Sequence, residues 1–288
     1  MNNKTKGFSA TIISAIFFGL IPFFVKTIYA GGANSLTATF LRFALSLPTL
    51  VIILKIQGIS LKVTKKDFLN IVFITVFGYG GTSVLLFSSY NYLPSGMCTT
   101  IHFMYPVFTI LGCVLFLKEK INPIKILCAG LCIAGILFFY DGESSISLVG
   151  MSLAFFSSIT YAFYTIYLKS SGLQEIGMIK LIFYMNAVAS VMLLILSVAS
   201  AQLTLNLTPG AWETALFFAT FSSLIGVLGY QVGVKCIGPE NAAILSTFEP
   251  ITSVVMGIVV YSEEFSPRLL LGCLCILSSV IIVSKIKD

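Results

Sequence analysis

The sequence predicts an all-α polytopic membrane protein, in which ten transmembrane helices form two inverted five-helix repeats around a central cavity. Three observations lead to this prediction: the composition, the spacing of the apolar runs, and a repeated pattern of prolines and acidic residues. Of the 288 residues, 57% are hydrophobic and 10% are charged, whereas a soluble domain carries about 25% charged residues. A water-soluble fold is therefore excluded, and the net charge of +6 does not indicate nucleic-acid binding, which needs a basic face on a soluble module.

Ten apolar runs follow one another along the chain, separated by short polar breaks. Most have about the 20 residues that a helix needs to cross a bilayer. Helices are expected because every backbone N–H and C=O group in lipid must be satisfied inside the segment. The predicted spans are 8–29, 35–56, 68–90, 95–117, 123–140, 147–168, 177–198, 211–233, 240–261 and 267–285.

The basic residues fall on one side of the predicted membrane. When sides alternate at each span, fourteen lysines share the side of the N-terminus. The opposite side has only Lys26 and Arg268, while Arg42 falls inside the second span. Cytoplasmic loops carry an excess of Lys and Arg, so both termini are expected to be cytoplasmic.

An internal repeat relates the two halves of the chain. A shift of 144 residues superposes Tyr105-Pro106 on Glu249-Pro250, Glu119 on Glu263, and Pro123 on Pro267. We therefore divide the chain into a first repeat at 1–142 and a second at 143–288. Each unit contains five spans, an odd number, so the two copies must insert in opposite orientations. Inverted repeats of this kind place a substrate site near the membrane midplane, at the interface between the repeats.

This pattern of Pro106 with Glu119 and Pro250 with Glu263, within ten spans, resembles the EamA family of the drug/metabolite transporter superfamily. The resemblance implies a multi-pass carrier of the plasma or inner membrane that moves amino acids, other small metabolites or toxic compounds, mostly outward. It also implies a basket of helices around a central cavity, lined largely by the first, third, fourth, sixth, eighth and ninth spans. One departure is a second acid, Glu264, directly after Glu263.

Two prolines predict kinks at the centre of the fourth and ninth spans. Proline cannot donate to the carbonyl four residues back, so Pro106 frees the carbonyl of His102 and Pro250 that of Ser246. A free carbonyl is tolerated at membrane depth where it meets protein or a water-filled cavity. The kinks therefore face either a cavity or a neighbouring helix that satisfies them.

Glu249 lies deep in the ninth span, where a charge is expensive. One interpretation gives it a role in a substrate cavity. A second is a structural ion pair with Arg42, and a third is a protonated, neutral carboxyl group. For Arg42 itself, the alternative to such a pair is a side chain that extends to the outer interface. These alternatives remain open at the level of sequence.

His102 is the single histidine, and the unperturbed pKa of the imidazole makes it a candidate proton carrier. It is equally a candidate for a hydrogen bond to a neighbouring helix or for a role in the cavity. The predicted substrate-binding residues are Glu249, His102, Tyr105, Ser246, Tyr79, Tyr164, Tyr230, Gln231 and Arg42. Further polar candidates are Thr99, Tyr161 and Asn186, each of which could instead join helices. Glu119 and Glu263 are predicted structural acids that brace the two halves by pairing with a lysine or a helix N-terminus.

These observations lead us to expect a secondary transporter that works by alternating access and exports amino acids or similar small polar metabolites. The alternative is an organic-cation or drug exporter with Glu249 as counter-charge. A membrane-embedded enzyme is a remote alternative, because the chain shows no nucleophile elbow or metal motif. We expect no cofactor or metal, a small-molecule substrate, the lipid bilayer as surroundings, and function as a monomer.

Overall fold

The computed structural model describes residues 3–93, 95–120, 122–138, 147–261 and 267–285, and these residues form helices and connecting turns without a strand. The predicted Glu263 lies outside the described residues. The helices are α1 (Asn3–Phe18), α2 (Ile21–Ala30), α3 (Ser35–Ala44), α4 (Leu47–Ile56), α5 (Lys65–Ile74), α6 (Gly80–Ser89), α7 (Ser95–His102), α8 (Tyr105–Phe116), α9 (Pro123–Leu137), α10 (Leu148–Ser170), α11 (Met178–Ala199), α12 (Pro209–Phe221), α13 (Leu228–Ile237), α14 (Pro239–Ser246), α15 (Phe248–Tyr261) and α16 (Pro267–Lys285).

These helices build the predicted spans, and the all-α polytopic fold is confirmed. In the part of the chain that the structure describes, six segments are long and apolar enough to cross a membrane, namely Asn3–Ala30, Ser35–Ile56, Lys65–Ser89, Leu148–Ser170, Met178–Ala199 and Pro209–Ile237. Shorter apolar helices occupy Tyr105–Phe116, Pro123–Gly135 and Leu270–Ser279. The fourth span consists of α7 and α8, the fifth of α9, the ninth of α14 and α15, and the tenth of α16.

Prolines interrupt four of the spans. The fourth span breaks at residues 103–104, just before Pro106, and the ninth at residue 247, just before Pro250. The first span breaks ahead of Pro22 and the second ahead of Pro48, and neither of these two breaks is part of the sequence prediction. Pro22, Pro48 and Pro106 each sit at the second position of the helix that follows, and Pro250 sits at the third. In this first turn an N–H has no intrahelical partner, so its loss costs nothing.

The third and eighth spans contain a π-helical segment each, which we call the π-segments. They cover Thr75–Tyr79, between α5 and α6, and Ser222–Val227, between α12 and α13. The two segments occupy equivalent places in the two repeats. Single π-turns inside α-helices are often found at functional sites.

The first span of each repeat packs across the interface onto the other repeat. α1 packs on α13 and α14 of the second repeat, and α10 packs on α6 and α8 of the first. The second and seventh spans pair through α3 and α11, while the fifth and tenth pair through α9 and α16. This reciprocal pairing is what two related five-helix units produce when they interlock.

Equivalent loops of the two repeats lie at opposite ends of the bundle. At one end, the loop after the first span meets the loop after the seventh, because Asn34 and Thr37 hydrogen-bond the Gln202 carbonyl at 2.5 and 3.2 Å. At the other end, the loop after the sixth span lies next to the loop after the second, where Lys180 donates to the Ser60 carbonyl at 2.9 Å. The loops after the first and sixth spans correspond under the repeat, so the two units are inverted.

Candidate functional site

A cavity opens between the two repeats, among the broken fourth and ninth spans and both π-segments. It contains about 570 Å³ of space free of protein atoms, including the part open to solvent. The cavity is lined by Phe18, Ile21, Arg42, Tyr79, Thr82, Ser83, Leu86, Phe87, His102, Tyr105, Tyr161, Tyr164, Val227, Tyr230 and Glu249. Seven of the nine predicted substrate-binding residues are in this lining.

Five tyrosines form one continuous wall. Tyr161 is central, with ring centroids 4.7 Å from Tyr105, 5.7 Å from Tyr164 and 5.4 Å from Tyr230. Tyr79 extends the wall at 5.6 Å from Tyr164. Tyrosine rings provide apolar contact area, a π-face that attracts cations, and hydroxyl groups. The wall therefore suits a solute with an apolar or positively charged part.

Two glycines leave room for aromatic side chains of the first and sixth spans that line the cavity. A Cβ built at Gly78 would lie 3.0 Å from Cβ of Tyr164, and one at Gly226 would lie 2.3 Å from the Phe18 ring. Both glycines are in the π-segments, one in each repeat. A side chain at Gly226 would therefore require the Phe18 ring to move.

Arg42 lines the cavity with its guanidinium largely unsatisfied. The residue is only 6% exposed, so its side chain does not extend to the outer interface. Its Cζ atom lies over the rings of Phe43, Phe87 and Phe218, 5.4 to 5.6 Å from the ring centroids. A guanidinium has five N–H donors, yet among the described residues only the Ser83 hydroxyl accepts from it, at 3.3 Å, and Nε has no partner. The site therefore presents donors that an anionic group could use.

Glu249 lines the same cavity in the first turn of α15. The break at Thr247 places this residue at a helix N-terminus, where the helix dipole favours a negative charge. Its repeat partner Tyr105 begins α8 in the same way. Within the described ranges, no hydrogen bond or ion pair engages the Glu249 carboxylate, and none joins it to Arg42.

His102 ends α7 at the cavity and is held by a serine. Its Nδ1 lies 2.8 Å from the Ser157 hydroxyl, which itself donates to the Ala154 carbonyl at 2.6 Å. Because that hydroxyl proton is already used, the serine accepts and Nδ1 carries the imidazole proton; this tautomer follows from the hydrogen-bond network. The neutral ring then keeps Nε2 as an acceptor.

Two predicted residues lie behind the wall rather than in it. Gln231 donates through Nε2 to the Tyr164 hydroxyl at 3.3 Å. Ser246 donates to the Ala242 carbonyl one turn back at 2.9 Å. Neither is among the residues that line the cavity, so Gln231 reaches it only through the Tyr164 ring.

Sequence reasoning missed seven lining residues, which are Phe18, Ile21, Thr82, Ser83, Leu86, Phe87 and Val227. Five of them are apolar, and an apolar residue in a span has the same sequence signal whether it faces lipid, core or cavity. Thr82 and Ser83 gave a weak sequence signal, because their hydroxyl groups are within four residues of the predicted Tyr79. Thr82 also bonds Thr160 of the sixth span at 2.8 Å.

Glu119 lies at the opposite, lysine-rich end, in a separate polar pocket beside the start of α14. There Lys125 forms an ion pair with Glu240 at 2.5 Å, and both side chains are mostly buried. Glu119 is exposed and makes no ion pair within the described part of the chain. Its bracing role stays a prediction.

Comparison with known proteins places these features in a family. A model of the EamA-like transporter family matches residues 5–140 and again 148–285, almost the entire chain in two units. A solved crystal structure superposes with a TM-score of 0.81 over 96% of this chain and 97% of that one, at 14% identity. That likeness concerns the fold.

Three relatives are named uncharacterized transporters. One from Synechocystis is 27% identical over 71% of this chain, one from Bacillus subtilis is 27% identical over 67%, and one from Archaeoglobus fulgidus is 24% identical over 85%. The aligned region spans 63%, 64% and 87% of these relatives' own lengths, respectively.

Proposed function

Because the chain belongs to the EamA-like transporter family, we propose that it is a secondary transporter of small zwitterionic solutes, with amino acids as the first candidates. It works by alternating access in the cytoplasmic membrane and exports its substrate. The observation that carries the proposal is that Arg42 and Glu249 line one cavity without pairing with each other.

The unpaired charges support a substrate that carries both signs. Truncating or neutralising one partner of a buried pair is costly because the other charge is then stranded, and here both groups lack such a partner among the described residues. A bound carboxylate would accept from the Arg42 donors, and a bound ammonium would meet Glu249 and the faces of the tyrosines. A zwitterion thus compensates both charges at once.

The second candidate is an organic-cation or drug exporter. The tyrosine wall with Glu249 favours it, since aromatic faces attract cations. Against it stands Arg42, whose buried positive charge in the same lining would repel a cation without a carboxylate. A multiply charged phosphate is disfavoured as the substrate because its site would need several basic groups. In the described lining, Arg42 is the one Lys or Arg.

Alternating access is supported by where the irregular backbone lies. The cavity is lined by residues next to the breaks before Pro106 and Pro250 and by residues of the two π-segments, so each repeat contributes one break and one π-segment. Rocking one set of spans against the other would open the site to either side. The interlocked repeats are contained in one chain, so we expect a functional monomer. His102 remains the candidate for coupling export to protons.

A counterflow screen in proteoliposomes tests the substrate class. Vesicles loaded with each of the twenty L-amino acids, tetraethylammonium or methyl viologen are diluted into tracer of the same compound, with and without a pH gradient. We expect counterflow of at least one neutral amino acid and none of tetraethylammonium. Accumulation of the two cations without any amino-acid counterflow would replace the proposal with a cation exporter; protein-free vesicles are the control.

The orientation of the chain gives a separate prediction. We expect tags at Met1 and Asp288 to be reached only after permeabilisation, and a tag inserted at Leu205 to be labelled from outside intact cells. The reason is the lysine excess at the end that holds Lys62, Lys125 and Lys180. Labelling of the Leu205 tag from inside alone would refute the assigned topology.

A further inference from the structure

A single amide connects the two π-segments across the repeat interface. Asn186, fully buried in α11, donates through Nδ2 to the Ser46 hydroxyl at 2.6 Å and to the Ser223 hydroxyl at 2.9 Å. Its Oδ1 accepts from the Tyr79 hydroxyl at 3.0 Å. Tyr79 ends one π-segment and Ser223 belongs to the other.

The same amide also reaches the break in the second span and the cavity. Ser46 lies in the turn between α3 and α4, and the Tyr79 ring lines the cavity, 5.1 Å from Phe43. Three spans, the second, third and eighth, therefore meet at Asn186, which belongs to the seventh. We call these three contacts, to Ser46, Tyr79 and Ser223, the Asn186 hub.

Each π-segment begins with a buried hydroxyl that has no hydrogen-bond partner among the described residues, Thr75 in one repeat and Ser222 in the other. Buried hydroxyls in the fourth and sixth spans donate to the carbonyl four residues back, as Thr109 does to Tyr105 at 2.8 Å and Thr165 to Tyr161 at 2.9 Å. At both positions the backbone N–H still donates to the carbonyl four residues back, Ile71 in one repeat and Phe218 in the other. Thr75 and Ser222 thus each keep an unused hydroxyl, among the described residues, in the first turn of a π-segment.

We infer that Asn186 is a positioning residue that holds both π-segments in their present form and links them to the cavity through Tyr79, so that the third and eighth spans rearrange together. The inference deepens the proposed alternating access. Substrate contact at Tyr79 would strain the hydrogen bonds of the Asn186 hub. Breaking those bonds would let both π-segments change their backbone hydrogen bonds at once. Asn186 is not among the cavity-lining residues, so it acts through Tyr79.

Hydrogen–deuterium exchange of the full chain in lipid nanodiscs tests this linkage without any substrate. Asn186→Leu keeps the side-chain size and removes all three hub contacts. We expect it to raise amide exchange about tenfold or more in both Thr75–Tyr79 and Ser222–Val227. The matched control is Asn70→Leu, which removes another inter-span amide contact, the one to the Tyr167 hydroxyl at 3.0 Å, and should leave Ser222–Val227 unchanged.

A double-mutant cycle distinguishes coupling between the two π-segments from a purely structural role of Asn186. Ser223→Ala removes a contact in the eighth span alone, yet we expect it to raise exchange at Thr75–Tyr79 as well, and to have no such remote effect when Asn186 is already Leu. A purely structural Asn186 would give only local changes with Ser223→Ala, and that result overturns the inference. If Asn186→Leu does not fold, the same test uses Tyr79→Phe, Ser223→Ala and their double variant. The measurement is again amide exchange in the π-segment that does not contain the changed residue. A negative amino-acid screen would leave this measurement valid.

Discussion

Arg42→Gln is expected to weaken binding of carboxylate-bearing solutes about 10- to 150-fold, while the melting temperature stays the same or rises. Hydrogen bonds to charged groups contribute about 1.5–3 kcal/mol, which corresponds to that change in affinity. The stability expectation follows because the guanidinium is 6% exposed with an unpartnered Nε. Replacing a poorly compensated buried charge with a neutral group removes a desolvation cost.

Three related probes measure this effect: L-leucine, its amine analogue 3-methylbutylamine and its acid analogue 4-methylpentanoate. Arg42→Gln should lower affinity for L-leucine and the acid and spare the amine. Arg268→Gln is the matched control, since Arg268 is exposed at the start of α16. Unchanged affinity for all three probes together with a clear loss of thermal stability would make Arg42 a structural residue.

Glu249→Gln is expected to weaken binding of ammonium-bearing solutes by a similar 10- to 150-fold, again from the loss of one charge-assisted contact. The change is isosteric, and the Glu249 carboxylate has no ion-pair partner among the described residues. Folding should therefore be little affected. With the same probes, L-leucine and the amine should lose affinity and the acid should not. Glu213→Gln, at an exposed position of α12, serves as control.

The double variant Arg42→Gln with Glu249→Gln distinguishes a substrate site from a structural pair. Because the two groups are not paired here, we expect the effects of the single changes on melting temperature to add. A structural pair behaves differently: each single change strands a buried charge, and removing both partners restores stability. Strong stability rescue in the double variant with preserved L-leucine binding would exclude the proposed roles of both residues.

The sequence was sufficient for features that a local physical rule controls. Lipid imposes the length and polarity of each span, so the ten apolar runs could be read directly. Proline blocks a helical hydrogen bond wherever it stands, so the breaks before Pro106 and Pro250 follow from the residue itself. Pro22 and Pro48 obey the same rule, and their breaks could have been predicted from it.

The π-segments could not be predicted from any residue in them. Thr75–Tyr79 and Ser222–Val227 contain no proline, and a π-turn requires tertiary contacts that compensate for the displaced hydrogen bonds. The Asn186 hub supplies such contacts, and its members come from four spans far apart in the chain. Asn186 was visible as a polar candidate, but a buried amide has the same sequence signal in a cavity or between helices.

For the chemistry of the site too, one part follows from the sequence and another part only from the tertiary structure. That Arg42 and Glu249 are expensive inside a membrane is a property of each residue, and the sequence alone determined it. Whether they neutralise each other depends on the distance between the second and ninth spans, which belong to different repeats. Only the packing of those repeats around the cavity decided that both charges line it with no ion-pair partner among the described residues, because a charge can pair only with a group that the fold brings near it.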